Sequence, residues 1–128
     1  MTIQEKELLL KDISARLSYV TIVSVNDGTI KYKAYIESVS YKNIQVSPVS
    51  DSNFTACTFY KISEIKPYLR PMSSMTEEEE IYYNTVYTRL KFYEKEDWLN
   101  AHHFDYRGLI EKGLAIEALE GMYEIKEK

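Results

Sequence analysis

Cysteine is all but missing from this chain. Cys57 is the only one, which excludes an intrachain disulfide and a cysteine-based zinc site. Its setting in residues 54–60 reads as a strand with no histidine nearby, so a buried, inert thiol is expected. Histidine is nearly as scarce. His102 and His103 are adjacent, and neighbours on a helix diverge by about 100°, so the pair does not converge on one ion. Asp105 beside His103 would supply one further ligand, and two ligands without others do not make a site. A polar helix end is the expectation, with no metal and no cofactor. No Gly-x-Ser-x-Gly, Walker loop, Gly-x-Gly-x-x-Gly or His-Glu-x-x-His pattern occurs, so an enzyme is not expected. No apolar run reaches membrane-spanning length, and Met1 to Glu7 is too charged for a signal peptide. The expected setting is a reducing cytoplasm, where the acceptor-like triplet Asn53-Phe-Thr55 has no use. Repeats and low-complexity tracts are also missing.

Arginine and net positive charge are in short supply. The formal charge is −4. Residues 1–72 hold nine Lys/Arg against seven Asp/Glu, whereas residues 73–128 hold seven against thirteen. An acidic chain is ill suited to generic nucleic-acid binding, which depends on neutralising phosphates. What the chain has in excess is tyrosine, twelve against four phenylalanines. Tyrosine tolerates half-burial, with a packed ring and a wet hydroxyl. That suits a shallow core or a partner-binding surface.

The local pattern predicts an N-terminal helix over residues 2–18. Thr2 and Glu5 have capping-box spacing. Ile3, Leu9, Leu10, Ile13 and Leu17 share one face, with Glu5, Lys11, Asp12 and Arg16 off it. Alternation then takes over. Strands are predicted over 19–25, 30–37, 39–49 and 54–62, with a hairpin turn at Asn26-Asp-Gly28 and another turn at residues 51–53. Pro48 marks a strand edge or end. A single helical turn over 63–66 precedes an extended piece, 67–72. Short antiparallel strands in this order predict a small SH3-like β-barrel, with the N-terminal helix plugging one end or side.

Residues 71–76 read as a boundary, dividing the helix and barrel (1–72) from a helical region (73–128) expected to pack on it as one cooperative unit. Thr76 and Glu79 repeat the capping-box spacing, and Glu77 to Glu80 suit the positive end of a helix better than a metal or basic-partner site. One long helix is predicted from there to about His102, roughly 39 Å if unbroken. Its broad face carries Tyr82, Tyr83, Val86, Tyr87, Leu90, Tyr93, Trp98 and Ala101, with Trp98 as the expected core anchor. Asp105 is placed to cap a short helix over 106–112 that Gly113 ends in a left-handed turn. Residues 114–119 fit either a helical turn or an extended strip, and the tail 124–128 is expected to fray.

Two functional readings follow. A protein-interaction or regulatory module would dock another protein, or a second copy, through Tyr83, Tyr87, Trp98 and Tyr106, since tyrosine-rich surfaces make contacts at low entropic cost. The alternative is nucleic-acid binding by the barrel, in which Lys31, Lys33, Tyr35, Tyr41 and Lys42 interleave bases and aromatics. Tyr32 shares its strand face with Ile30 and Ile36 and is expected in the core instead.

Residues 65–79 (IKPYLRPMSSMTEEE), 98–123 (WLNAHHFDYRGLIEKGLAIEALEGMY) and 7–17 (ELLLKDISARL) resemble a family of small proteins without an assigned activity. These are encoded in gut Bacteroides-type bacteria, often in prophages and related phages. The resemblance spans the chain and is weakest in the middle strands. It carries no catalytic or binding residue onto this sequence and implies a cytoplasmic bacterial or phage-encoded setting. Leu119 stands where the family has proline.

Overall fold

A computed structural model describes residues 1–49 and 58–123. The expectations for Cys57, for the turn at 51–53 and for the tail 124–128 lie outside the described residues.

Helix α1 (Ile3–Ala15) opens on the capping box: the Thr2 hydroxyl accepts from Glu5 N–H at 3.0 Å, and Glu5 returns the favour to Thr2 N–H at 2.8 Å. Only part of the predicted apolar stripe reaches the interior. Leu9 and Ile13 are fully buried, while Ile3 and Leu17 stay 72% and 42% exposed. The helix stops at Ala15, so Leu17 leaves the face that Ile13 shares.

The Asn26-Asp-Gly turn joins β1 (Ile22–Asn26) to β2 (Lys31–Val39). Asn26 accepts from Gly28 N–H, Asp27 from the N–H groups of Thr29 and Ile30, and Gly28 takes φ 92°. Those backbone donors hold the Asp27 carboxyl below its ordinary range. β3 (Ile44–Pro48) and the three-residue β4 (Thr58–Tyr60) continue the meander, with a bulge in β2 between Ile36 and Ser38. Pro48 ends β3, where a missing N–H costs least. A one-turn 3₁₀ segment at Ile62–Glu64 leads into β5 (Ile65–Leu69), antiparallel to the other edge of β1.

These strands do not close into an SH3-like barrel. They form one open, mixed six-stranded sheet in the order β4-β3-β2-β1-β5-β6, where β6 (Ile116–Glu117) comes from the C-terminal region and pairs parallel to β5. Closure requires strands long enough to tilt and stagger around a ring. Here β6 already occupies the edge of β5 that closure would need. Residues 114–119 are therefore extended at β6 rather than helical. Val23, Val25, Ala34, Ile44, Val46, Tyr60, Ile65 and Leu69 make one face of the sheet the core, covered by Leu9 and Ile13 of α1 and by Leu109, Leu114 and Ala115. The predicted core position of Tyr32 holds in part: it is half-buried, and its hydroxyl donates to that of Tyr60 at 2.9 Å.

The single long helix is likewise replaced by three pieces: α2 (Glu77–Asn84), a 3₁₀ turn at Tyr87–Arg89, and α3 (Phe92–Ala101). The Thr85 hydroxyl bonds back to the Ile81 carbonyl at 2.6 Å and Thr88 to that of Thr85 at 2.7 Å, a competition with the helix ladder that threonine is suited to. Lys91 N–H then donates to Glu94 at 2.9 Å and starts α3 afresh. The short helix predicted over 106–112 is absent. Asp105 accepts from Leu109 and Ile110 N–H, but Gly108 at φ 73° breaks the run, and Gly113 at φ 75° makes the predicted left-handed turn.

Candidate functional site

The break between α2 and α3 is what assembles the aromatic residues. With the helix folded back, Trp98 becomes the hub of a ring cluster. Its indole stacks on Tyr82 (5.2 Å between centroids), meets His102 at a tilt (4.6 Å) and Tyr87 edge-on (5.6 Å), and lies 6.1 and 5.7 Å from Tyr83 and Phe104. Tyr83 stacks on Tyr87 at 4.4 Å. Three of the four predicted partner-binding residues, Tyr83, Tyr87 and Trp98, therefore share one cluster, all half-buried. Trp98 does not anchor the main core as expected. Among the described residues the fully buried ring is Phe104.

Tyr106 goes elsewhere. Its hydroxyl donates to Asn100 and accepts from Arg107, both at 3.0 Å, and its ring lies beneath the Arg16 and Arg107 guanidiniums. Those arginines share one carboxylate. Asp12 accepts from Arg16 at 2.9 and 3.1 Å and from Arg107 Nε at 3.1 Å, while Arg16 also donates to the Phe104 carbonyl at 2.7 Å. Asp12 and Arg16 are completely buried, contrary to their expected place on the wet side of α1. The i,i+4 spacing of Asp12 and Arg16 was the one sequence signal of this pair.

Tyr82 and Trp98 also form one wall of an open cleft of about 1320 Å³. The facing wall is residues 117–121 with Tyr123, and the floor includes Arg70 and Glu79. Arg70 lies over Phe104 at 4.3 Å and grips Glu79 with both terminal nitrogens. Burial pushes the Glu79 carboxyl up, but Arg70 and the Thr76 N–H outweigh it and hold the group below its ordinary range. Of the four glutamates at the start of α2, only Glu79 is buried. Glu79→Ala removes a cap and uncovers Arg70, and is expected to cost about 2–3 kcal/mol, whereas Glu78→Gln should change stability by less than about 0.5 kcal/mol. Urea melts of both variants check this, and equal effects would contradict the assignment.

The second wall is pinned by Tyr123. Its hydroxyl accepts from Ile22 N–H and donates to the Tyr68 carbonyl, both at 2.8 Å, just beyond the last β1–β5 pair at Val23 and Pro67. The Tyr123 ring stacks on His103 at 3.7 Å. His103 adopts φ 62°, a left-handed backbone that histidine enters more readily than most residues. Burial first, then Arg16, Arg70 and His102, push its imidazole down to about 4. The unfolded chain takes up that proton from near pH 6.5 downward, so folding stability falls as pH drops from about 6.5 towards 4. His103→Asn is expected to flatten the melting-temperature profile between roughly pH 6.5 and 5, above the ordinary carboxylate range. An unchanged slope would assign it to another group.

The nucleic-acid candidates are divided. Lys31, Lys33 and Tyr35 line the face of β2 opposite the core, but Tyr41 and Lys42 sit in the β2–β3 turn. The length of β2, about 26 Å at strand rise, separates the two ends. Tyr41 is 83% exposed, with Lys42 Nζ 5.7 Å from its ring. Lys66 was missed by the sequence reading: it pairs with Ser24 from β5 as Lys33 does from β2.

Among the described residues no cluster of three His, Cys, Asp or Glu side chains is placed to hold a metal ion, and no helix is long and apolar enough to cross a membrane. Comparison of the chain with protein-family models, with curated proteins and with solved structures finds no match.

Proposed function

We propose that this chain is a non-enzymatic interaction module that docks a partner protein in the cleft between Tyr82–Trp98 and residues 117–121. One observation carries the reading: half-exposed aromatic rings, held against one another by ring contacts, form a wall of an open cleft of about 1320 Å³. Rigid aromatic side chains give contact area at low entropic cost, which is why they concentrate at the centres of interfaces. The cytoplasmic, bacterial or phage-encoded setting implied by the resemblance belongs to the same reading. Selection of a displayed random-peptide library on the immobilised protein tests it. Peptides that bind the native chain and lose binding to a Leu119→Lys variant, altered at an exposed point of the wall, are expected. Failure to enrich any such peptide would sink the reading.

A second reading, nucleic-acid binding, has one observation in its favour. Because the sheet is open, Lys31, Lys33 and Lys66 all project from the same exposed face, with Tyr35 beside them and Lys33 Nζ 5.9 Å from the Tyr68 ring. Lysines for phosphates and rings for bases are the ingredients of single-strand binding. A labelled oligonucleotide at low salt, with a Lys33→Glu/Lys66→Glu control, decides it; no change in anisotropy would end it.

A further inference from the structure

We infer that the occupant of the cleft is a basic segment of protein chain, one whose arginine or lysine side chains lie against Trp98 and Tyr82. The inference rests on the docking reading above and adds the chemistry of the partner. Its first support is charge. The charged side chains lining the cleft are Glu77, Glu78, Glu79, Glu117 and Glu120 against Arg70 alone. Arg70 is already neutralised by both oxygens of Glu79. Among the described residues the other four carboxylates pair with no cation. Four like charges around one concavity focus a negative potential inside it, which draws in cations and repels phosphates.

The second support is the wall itself. Aromatic faces attract guanidinium and ammonium groups, by roughly 0.5–2 kcal/mol each depending on desolvation. The molecule shows this chemistry at the cleft floor, where the Arg70 guanidinium covers Phe104 at 4.3 Å. The third is size. At about 1320 Å³ the cleft exceeds the roughly 300–1,000 Å³ of small-ligand pockets, which leaves room for a length of chain. A second copy of this protein is the poorer occupant, because it brings a further net charge of −4 to an acidic site.

Three decapeptides of equal length and aromatic content, differing only in carrying arginine, glutamine or glutamate at the variable positions, make the test. Trp98, the chain's only tryptophan, reports occupancy by its own fluorescence, provided the constant aromatics are phenylalanine. The arginine peptide is expected to bind on the order of tenfold or more tighter than the glutamine peptide at low salt and to lose that advantage at high salt. Glu78→Gln/Glu120→Gln, both exposed positions, should remove most of the difference while leaving the melting temperature in place. Equal binding of the glutamine peptide at Trp98 would overturn the basic-partner inference and leave the docking reading standing. Tight arginine-peptide binding that the double variant does not weaken would be general attraction to an acidic chain, and would also overturn it. If none of the three perturbs Trp98, both readings fall. A dimer by light scattering that Glu120→Gln strengthens would replace the basic partner with a second copy.

Discussion

Asp12→Ala is expected to lower the free energy of unfolding by about 3–5 kcal/mol, the range found when one partner of a buried ion pair is removed. Asp12 is the one carboxylate shared by Arg16 and Arg107, and neither it nor Arg16 has any exposed surface. Taking it away strands a guanidinium in the interior with the Phe104 carbonyl as its remaining acceptor. Arg16 Nη1 is already buried without a hydrogen-bond partner among the described residues, so it has no second acceptor to turn to. Urea unfolding measures the loss. The companion experiment replaces the whole network, with Asp12→Leu, Arg16→Met and Arg107→Met together. Apolar groups of similar volume remove the desolvation penalty along with the attraction, so this variant should recover most of the stability. What it keeps losing is the hydrogen bond to the Phe104 carbonyl, about 1–3 kcal/mol. An Asp12→Ala loss below about 1 kcal/mol would mean that water reaches these guanidiniums in solution.

The second large effect is at Phe104. Phe104→Ala is expected to cost about 3–5 kcal/mol, as for other fully buried aromatics, and Trp98→Ala roughly half as much because its ring is only half-buried. Phe104 has no exposed surface, lies under Arg70, and contacts the Trp98 hub from the core side. Its backbone also forms a bridge with Arg70: Arg70 N–H donates to the His103 carbonyl at 2.7 Å and Asp105 N–H to the Arg70 carbonyl at 2.8 Å. Loss of this ring therefore loosens the cleft floor and the aromatic wall together. Calorimetric melts of the two variants give the order directly. If Trp98→Ala proves the costlier, the indole is the anchor and the cleft wall is part of the core.

Local features of this chain were readable from its residues because their causes lie within a few positions. The capping boxes of Thr2–Glu5 and Thr76–Glu79 formed as spaced. The Asn26-Asp-Gly hairpin, the one-turn helix near residue 63, the end of β3 at Pro48 and the left-handed Gly113 are of the same kind. The long helix failed for a reason also present locally but easily overlooked. Thr85 and Thr88 compete for backbone carbonyls. Of the candidate binding residues, Tyr83, Tyr87 and Trp98 were brought together, although by a helix break and not along one helical face.

The amino-acid sequence by itself determined the α+β class, the first helix and the succession of the first five strands, the excess of acid after residue 73 and the supply of tyrosine. Each of these depends on composition or on period, which are properties of short windows of chain. Only the tertiary structure decided that the sheet stays open. That outcome turns on β6, whose partner Tyr68 lies 48 positions earlier. It decided that Asp12 and Arg16 are interior, because Phe104 and Arg107, 88 and 95 positions on, complete their shell. It decided too that Glu79 is held while the other cleft glutamates face a shared concavity. Burial and charge pairing are set by which distant segments meet, and a window of neighbouring residues holds no record of those meetings.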